Sequence, residues 1–491
     1  MDCIKNSHPQ PLNNPARNAT DVLAVTVHNL GYWPENSVVL VSCSARQVGP
    51  IVRVGTDDVL EVDVADAEEA LTRYLELLPA QIAPGEPIDR IFCIVFGHAG
   101  AQRAAQLTGC GDATPTMAEV GSEAEQAQRA RVWIEVVRRA VDRTGLALAD
   151  LYFVSQTCRW TAIEETCAYL FDGFVEDVLK SPVYLELLMN GSVVAGGEEE
   201  GRTLHAFNPQ ATADEEHTQA WGEEARMWFE HYDQTLATDG AAYAEDYLGQ
   251  KFAETTLWST ALEVIEESLL RLPESETREL SHAQYADAVR QAIPAPVAGF
   301  MAATLTSAGS SQFVMFAAAA SLEDAQHLMA NVHRESGLPR TEGAGLMLPL
   351  STAESGQLAD CVRRLHGEEI SFDEISPDKA EAASELFGTL LTGRTTRAPE
   401  WNRVSLLDYT AAVLASMCHG LPAQRLMLMR AWIGWLKGSS SDASAQLEAC
   451  EELLRVEPSP LQLILESAAL PRWVGEPAQH GRHRSWKLEG R

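Results

Sequence analysis

Three places in the 491-residue sequence group side chains that could hold a ligand or move a proton. The first is Gly31-Tyr-Trp-Pro-Glu-Asn-Ser37, where the carboxylate of Glu35, the amide of Asn36 and the hydroxyl of Ser37 follow a proline. Such a run can grip a small polar molecule, although Pro34 preforms a turn in which the same groups simply cap backbone amides. The second is Phe96-Gly-His-Ala-Gly100, directly after an apolar run. Ligands of open α/β sheets bind beyond the carboxyl ends of strands, so His98 stands in a suitable place. The loop lacks the glycine spacing that cradles phosphate, and a plain loop histidine is the simpler reading. With Glu35 and Asp57, His98 would supply acid–base groups for a small molecule.

The third is Cys158-Arg-Trp160 with Cys167, expected after the last strand of its domain. Cysteines nine apart without close pairs do not build a zinc site. His327 and His333, six apart, fall on different faces of a helix, and Gly309-Ser-Ser-Gln312 is not a nucleophile elbow. The acidic runs Glu198–Glu200 and Asp214–Glu216 read as solvated loops. The sequence thus predicts no metal and no cofactor.

The elements that would position these residues follow from periodicity. Thr20-Asp21 is placed to open a helix with apolar Val22, Leu23, Val25 and Leu30, ending by Gly31. Residues 37–42 read as a buried strand, with 50–54 and 59–64 as antiparallel neighbours. Residues 67–82 read as an amphipathic helix. Arg90–Phe96 is apolar on both faces, as a covered central strand should be. A long helix over 123–144 and a strand over 151–155 complete the pattern.

The expected fold is therefore an α/β N-terminal domain, a mixed sheet with flanking helices, over 20–205, behind a disordered tail at 1–19. A mostly α-helical C-terminal region follows. It comprises a helical part at 206–400, a tetratricopeptide-like hairpin region at 401–475 and a basic tail at 476–491. Within it, the uncharged stretch 291–322 is interrupted by Pro294, Pro296, Gly299 and Gly309. That pattern predicts two buried helices joined near 307–311, not a membrane span. Leu426–Lys437, a Gly/Ser turn and a helix from Asp442 would form the closing hairpin.

Composition narrows the functions. Seventy acidic against 37 basic residues give a net charge of −33, a surface that repels phosphate backbones and argues against nucleic acid as partner. The basic exception, His480 to Lys487 and Arg491, reads as a solvated terminus. Nine scattered cysteines without a C-x-x-C pair suit a reducing compartment. With no apolar signal segment at the start, the expected location is the cytoplasm.

Thr20-Asp-Val-Leu-Ala24 leading into Leu30-Gly-Tyr-Trp-Pro-Glu-Asn-Ser-Val-Val-Leu40 resembles the opening of the bacterial domain-of-unknown-function family 4192. Asp89–Phe96, Ser181-Pro-Val183 with Gly191, and Ala431–Gly438 with the helix closed by Pro458 are similar to later segments of that family. Two departures stand out. Arg53 is followed by Val-Gly-Thr-Asp57 instead of an Arg-x-Asp-Leu-Pro-like run, and only Arg159-Trp160 remains of a Gly-Arg-Trp segment. The resemblance implies this domain layout and carries no activity.

These observations point to a non-enzymatic interaction or regulatory protein with a protein or small-molecule partner. The alternative is a small-molecule enzyme with its site at the carboxyl edge of the N-terminal sheet. Whether the chain is an enzyme is left open.

Overall fold

The computed structural model describes residues 18–44, 48–56, 59–61, 63–78, 81–83, 86–97, 117–163, 166–189, 194, 207–212, 214–238, 247–271, 282–307, 309–336, 372–395, 397–437, 443, 446–447 and 450. The chain divides into two compact units, one up to Ala206 and the other from Phe207 onward.

In the first unit, α1 (Ala19–Leu30) is capped by Asn18, not by Thr20: the Asn18 Oδ1 accepts from Asp21 N at 2.9 Å. The left-handed Gly31 (φ 81°) ends the helix and turns the chain into β1 (Ser37–Cys43). Then come β2 (Val48–Gly55), α2 (Val64–Leu77), the short β3 (Gln81–Ala83) and β4 (Glu86–Pro87), and β5 (Arg90–Phe96). Two helices, α3 (Met117–Arg129) and α4 (Val132–Thr144), lead to β6 (Ala147–Val154), β7 (Cys158–Ile163) and β8 (Ala168–Phe174). The short α5 (Glu176–Leu179) and α6 (Pro182–Met189) follow.

Six strands form one mixed sheet in the order β2-β1-β5-β6-β7-β8, with β5 and β6 parallel and every other pair antiparallel. Strand alternation divides the core in two. Ile91, Cys93, Val95, Leu151, Phe153, Cys158 and Trp160 pack under α2, α3 and α4. Val39, Val41, Ile94, Phe96, Tyr152 and Val154 pack against α1, α5 and α6. The Arg90–Phe96 run is thus an interior strand covered on both faces, as its composition predicts.

Three expectations are corrected. Among the described residues of 59–64 none lies in a strand: Val59 is wholly buried, and its carbonyl accepts from Trp133 Nε1 at 2.7 Å. Asp63 caps α2, its carboxylate taking the amides of Ala65 and Asp66 at 2.8 and 3.2 Å. The helix over 123–144 is two helices broken at Ala130–Arg131. Cys158–Trp160 lies inside a strand, and the sheet continues through the β7–β8 hairpin that the sequence reading left out.

The second unit is helical: α7 (Glu215–Thr238), α8 (Tyr247–Leu270), α9 (His282–Ala292), α10 (Ala295–Thr304), α11 (Ser310–Ala319), α12 (Leu322–Ser336), α13 (Pro377–Leu391), α14 (Trp401–Ala415) and α15 (Gly420–Leu436). The uncharged stretch indeed forms two buried helices, α10 and α11. Gly299 has a role beyond punctuation. A Cβ there would lie 2.6 Å from Phe229 N and 2.7 Å from Ala225 O, so α10 crosses α7 backbone to backbone. Among the described residues no helix is long and apolar enough to cross a membrane. Most of the helix expected from Asp442 lies outside the described residues.

Candidate functional site

Sheet register brings the turn that carries Glu35, Asn36 and Ser37 beside the ends of β2, β5 and β6. Ser37 at the start of β1 pairs with Gly55 at the end of β2 and with Phe96 at the end of β5. Because β6 runs parallel to β5, Val154 ends at the same edge, opposite Phe96. The turn carrying Glu35, Asn36 and Ser37 therefore meets the carboxyl ends of the parallel pair. Asp57 and His98 lie outside the described residues, but the strands leading to each finish here.

The described groups on this edge hold one another. Asn36 sits in the left-handed region (φ 40°), and its amide donates to Gly97 O at 3.4 Å. Its carbonyl accepts from Thr56 N at 2.8 Å and from Thr56 Oγ1 at 3.1 Å. The Ser37 hydroxyl donates to Glu35 O at 2.5 Å and accepts from Arg53 Nε at 2.7 Å. Arg53 also donates to Tyr32 Oη at 3.1 Å. The backbone of Asn36 and the hydroxyl of Ser37 thus close the turn.

A second cluster on this edge was not legible in the sequence. Glu123 of α3 is buried with its carboxylate against the β6–β7 turn. It accepts from Thr157 Oγ1 at 2.6 Å, Thr157 N at 3.1 Å, Cys158 N at 2.9 Å and the Ser155 hydroxyl. Trp160 Nε1 donates to the same Ser155 oxygen at 3.3 Å. Four donors on one carboxylate clamp the turn and keep the Ser155 hydroxyl engaged. Cys158, the first residue of β7, is fully buried and faces the core, whereas Cys167 lies in the β7–β8 connection.

The helical unit holds a third cluster, also unforeseen. Lys251 on α8 has no exposed surface and places Nζ 2.8 Å from Glu254 Oε2 and 2.5 Å from Ser310 Oγ. Ser310, first residue of α11, lies 2.9 Å from the same carboxylate oxygen. Burial pulls the ammonium below the usual lysine range and pushes the Glu254 carboxyl up, while the attraction between them opposes both. Serine–lysine pairs serve as nucleophiles elsewhere. Here the ring is closed by Glu254 and sealed from solvent, and its evident work is to join α8 to α11. A Lys–Glu pair three apart looks in sequence like an ordinary surface ion pair, so no signal marked it.

Among the described residues no three His, Cys, Asp or Glu side chains gather where a metal could sit. His327 instead faces Glu323 at 3.7 Å, and His333 lies against the Phe372 ring. Asp214 caps α7 by accepting from His217 N at 3.0 Å. Residues 198–200 lie outside the described residues.

A family model described as a domain of unknown function, DUF4192, matches residues 20–292, more than half of the chain. The chain belongs to the DUF4192 family. The DUF4192 match opens one residue into α1 and closes on the last residue of α9, so it takes in the whole sheet together with α7, α8 and α9. All five predicted edge residues fall within it, as do Glu123, Lys251 and Glu254, whereas Ser310 and the segment near Ala431 lie beyond. No curated protein and no solved structure matches the chain.

Proposed function

We propose that this DUF4192 protein is a non-enzymatic interaction or regulatory protein, working in the cytoplasm, that binds a protein partner through its N-terminal unit. One observation carries the reading: the outer strand β8 presents Leu170 and Phe171 at 55% and 47% exposure. Among the described residues β8 pairs with β7 alone, and apolar side chains beside a strand edge favour the docking of a partner. Nine scattered cysteines without a C-x-x-C pair suit a reducing cytoplasm, and the acidity favours partners other than nucleic acid. The closing helical hairpin, with α15 as its first helix, belongs to the same reading as a further packing surface.

The test is recovery of partners by tagged wild-type protein and by Leu170→Lys, compared at physiological salt. Loss of a stoichiometric partner with the variant supports the reading, and identical recoveries contradict it.

A second reading keeps the sheet's carboxyl edge as an enzyme site for a small molecule, with Glu35, Asp57 and His98 as acid–base groups. It is favoured by the register that brings the start of β1 to the ends of β2, β5 and β6. A thermal-shift screen against nucleotides and metabolites decides it. A ligand at 100 times its Kd stabilises by about 2.7 kcal/mol, and a hit abolished by His98→Ala would favour this reading over the first.

A further inference from the structure

We propose that residues 207–212 form a pH-sensitive strap, latched onto α9 by uncharged His282 and unlatched when that histidine takes up a proton. The device is independent of the partner and of the ligand proposed above.

The segment lies outside helix and strand, yet both of its ends are tied down. At the near end Phe207 is buried, its ring 5.5 Å from that of His282 and 4.7 Å from that of Tyr409. The Asn208 amide donates to His282 Nδ1 at 3.4 Å. Asn208 also builds the turn that follows. Its carbonyl accepts from Ala211 N at 3.1 Å and its side chain from Gln210 N at 3.0 Å. The far end is held by charge. Arg290, buried on α9, donates to Ala211 O at 3.2 Å and to Pro209 O. Asp287 accepts from Arg290 at 3.0 Å and from Thr212 Oγ1 at 2.8 Å. Thr212 passes the tie on to α7, its hydroxyl accepting from Asp214 N at 2.9 Å and from Thr218 Oγ1 at 2.8 Å.

Of these ties, the one at Asn208 depends on a side chain that titrates near neutrality. Imidazole accepts through Nδ1 only when it is neutral, with its proton on Nε2. Protonation turns that acceptor into a donor aimed at the Asn208 N–H, another donor, and the two must part. Two features of the surroundings oppose the charge. His282 opens α9, at the positive end of the helix dipole, and burial lowers its pKa from the usual 6.5. Neighbouring charges are committed elsewhere. Residues 207–212 carry no titratable side chain. On α9, Asp287 is spent on Arg290 and Thr212. On α14, Tyr409 packs on Phe207 and Tyr285, and Asp408 pairs with Arg430 and Lys437. On α7, Asp214 caps the helix, and Glu215, Glu216 and His217 are exposed. The Phe207 ring favours a cation weakly, against the lost hydrogen bond, the dipole and burial together. With its folded-state pKa below the unfolded one, His282 lends the strap stability that is present above about pH 6.5 and lost as pH falls below it. That window lies above the carboxylate range, so acid reaches the latch first. An unlatched strap lengthens the chain leading into the second unit, which begins at Phe207.

Hydrogen exchange on the full chain tests the latch, measured on either side of the histidine range at about pH 7.5 and about pH 5.5. Rates are read as protection factors, so that the intrinsic pH dependence of exchange cancels. Peptides covering residues 207–212 should lose about 10-fold in protection on acidification, while those of α10 and α11 keep theirs. His282→Asn sets an amide oxygen close to where Nδ1 stands and cannot titrate, so its strap should stay protected at both values. His282→Ala removes the acceptor, and its strap should be weakly protected at both. Circular dichroism at each pH reports whether the variants are folded. A wild-type strap equally protected at the two values would overturn the proposal. So would an asparagine variant that keeps the full acid response, or an alanine variant as well protected as wild type at the higher pH.

Discussion

Glu123 and Lys251 are charged groups whose partners leave them no freedom. The Glu123 carboxylate takes two amides and two hydroxyls, and glutamine would turn one acceptor into a donor aimed at other donors. Glu123→Gln should therefore cost about 1–3 kcal/mol in denaturant unfolding, whereas the exposed Glu125 replaced by Gln should cost almost nothing. Lys251→Met strands Glu254 without its cation and should cost about 3–5 kcal/mol. The double variant Lys251→Met/Glu254→Leu should recover much of that loss, since well-packed apolar pairs replace buried ion pairs at little cost. A double variant no better than the single one would show that the ring does more than hold helices. Neither residue was legible beforehand, because a buried carboxylate on a helix and an exposed one share the same letter and the same spacing. The turn at 31–37 was legible, since Pro34 and the short polar residues after it state their geometry locally.

At the level of elements, α7 and α10 approach each other at a residue with no side chain. Gly299→Ala must push α10 away from the Ala225–Phe229 backbone of α7, at about 1–3 kcal/mol by thermal unfolding. Asp408 on α14 ties that helix to α15 through Arg430 at 2.9 Å and Lys437 at 3.3 Å. Burial alone would push its carboxyl up, but the two cations outweigh it and hold the group below its usual range. A folded-state pKa below the unfolded one means stability present at neutral pH and lost as pH falls below about 4. Asp408→Asn should flatten that acid limb of the stability curve, read from urea midpoints between pH 2 and pH 6. The strand Arg90–Phe96 could be found in sequence because an interior strand is apolar without interruption. β7 and β8 were hidden by Arg159, Thr161 and the Asp172-Gly173 pair, which mimic a turn. The alternating run at 59–64 misled in the opposite direction, since Asp63 was spent as a helix cap.

Across the whole molecule, each unit has a core of its own. Hydrogen exchange should accordingly respond unit by unit: Glu123→Gln should speed exchange in β6 and β7 and leave α7 and α10 unchanged, and Gly299→Ala should do the reverse. Exchange that accelerates everywhere in either variant would show a single cooperative block. The helical remainder behind the N-terminal sheet was readable from the shift to helical periodicity, because composition averages over many residues. Strand order and the pairing of distant segments were not, since they depend on contacts that no local window contains.

The place of β5 in the sheet has a consequence for how the chain reaches this state. β1 with β2, and β6 with β7 and β8, are neighbours along the chain and can zip up as local hairpins. β5 takes one flank from residues 37–43 and the other from residues 147–154. Closing those long loops is entropically slow. The two hairpin halves therefore wait for a single strand to suture them, and until it arrives their inner borders stand open to misassembly.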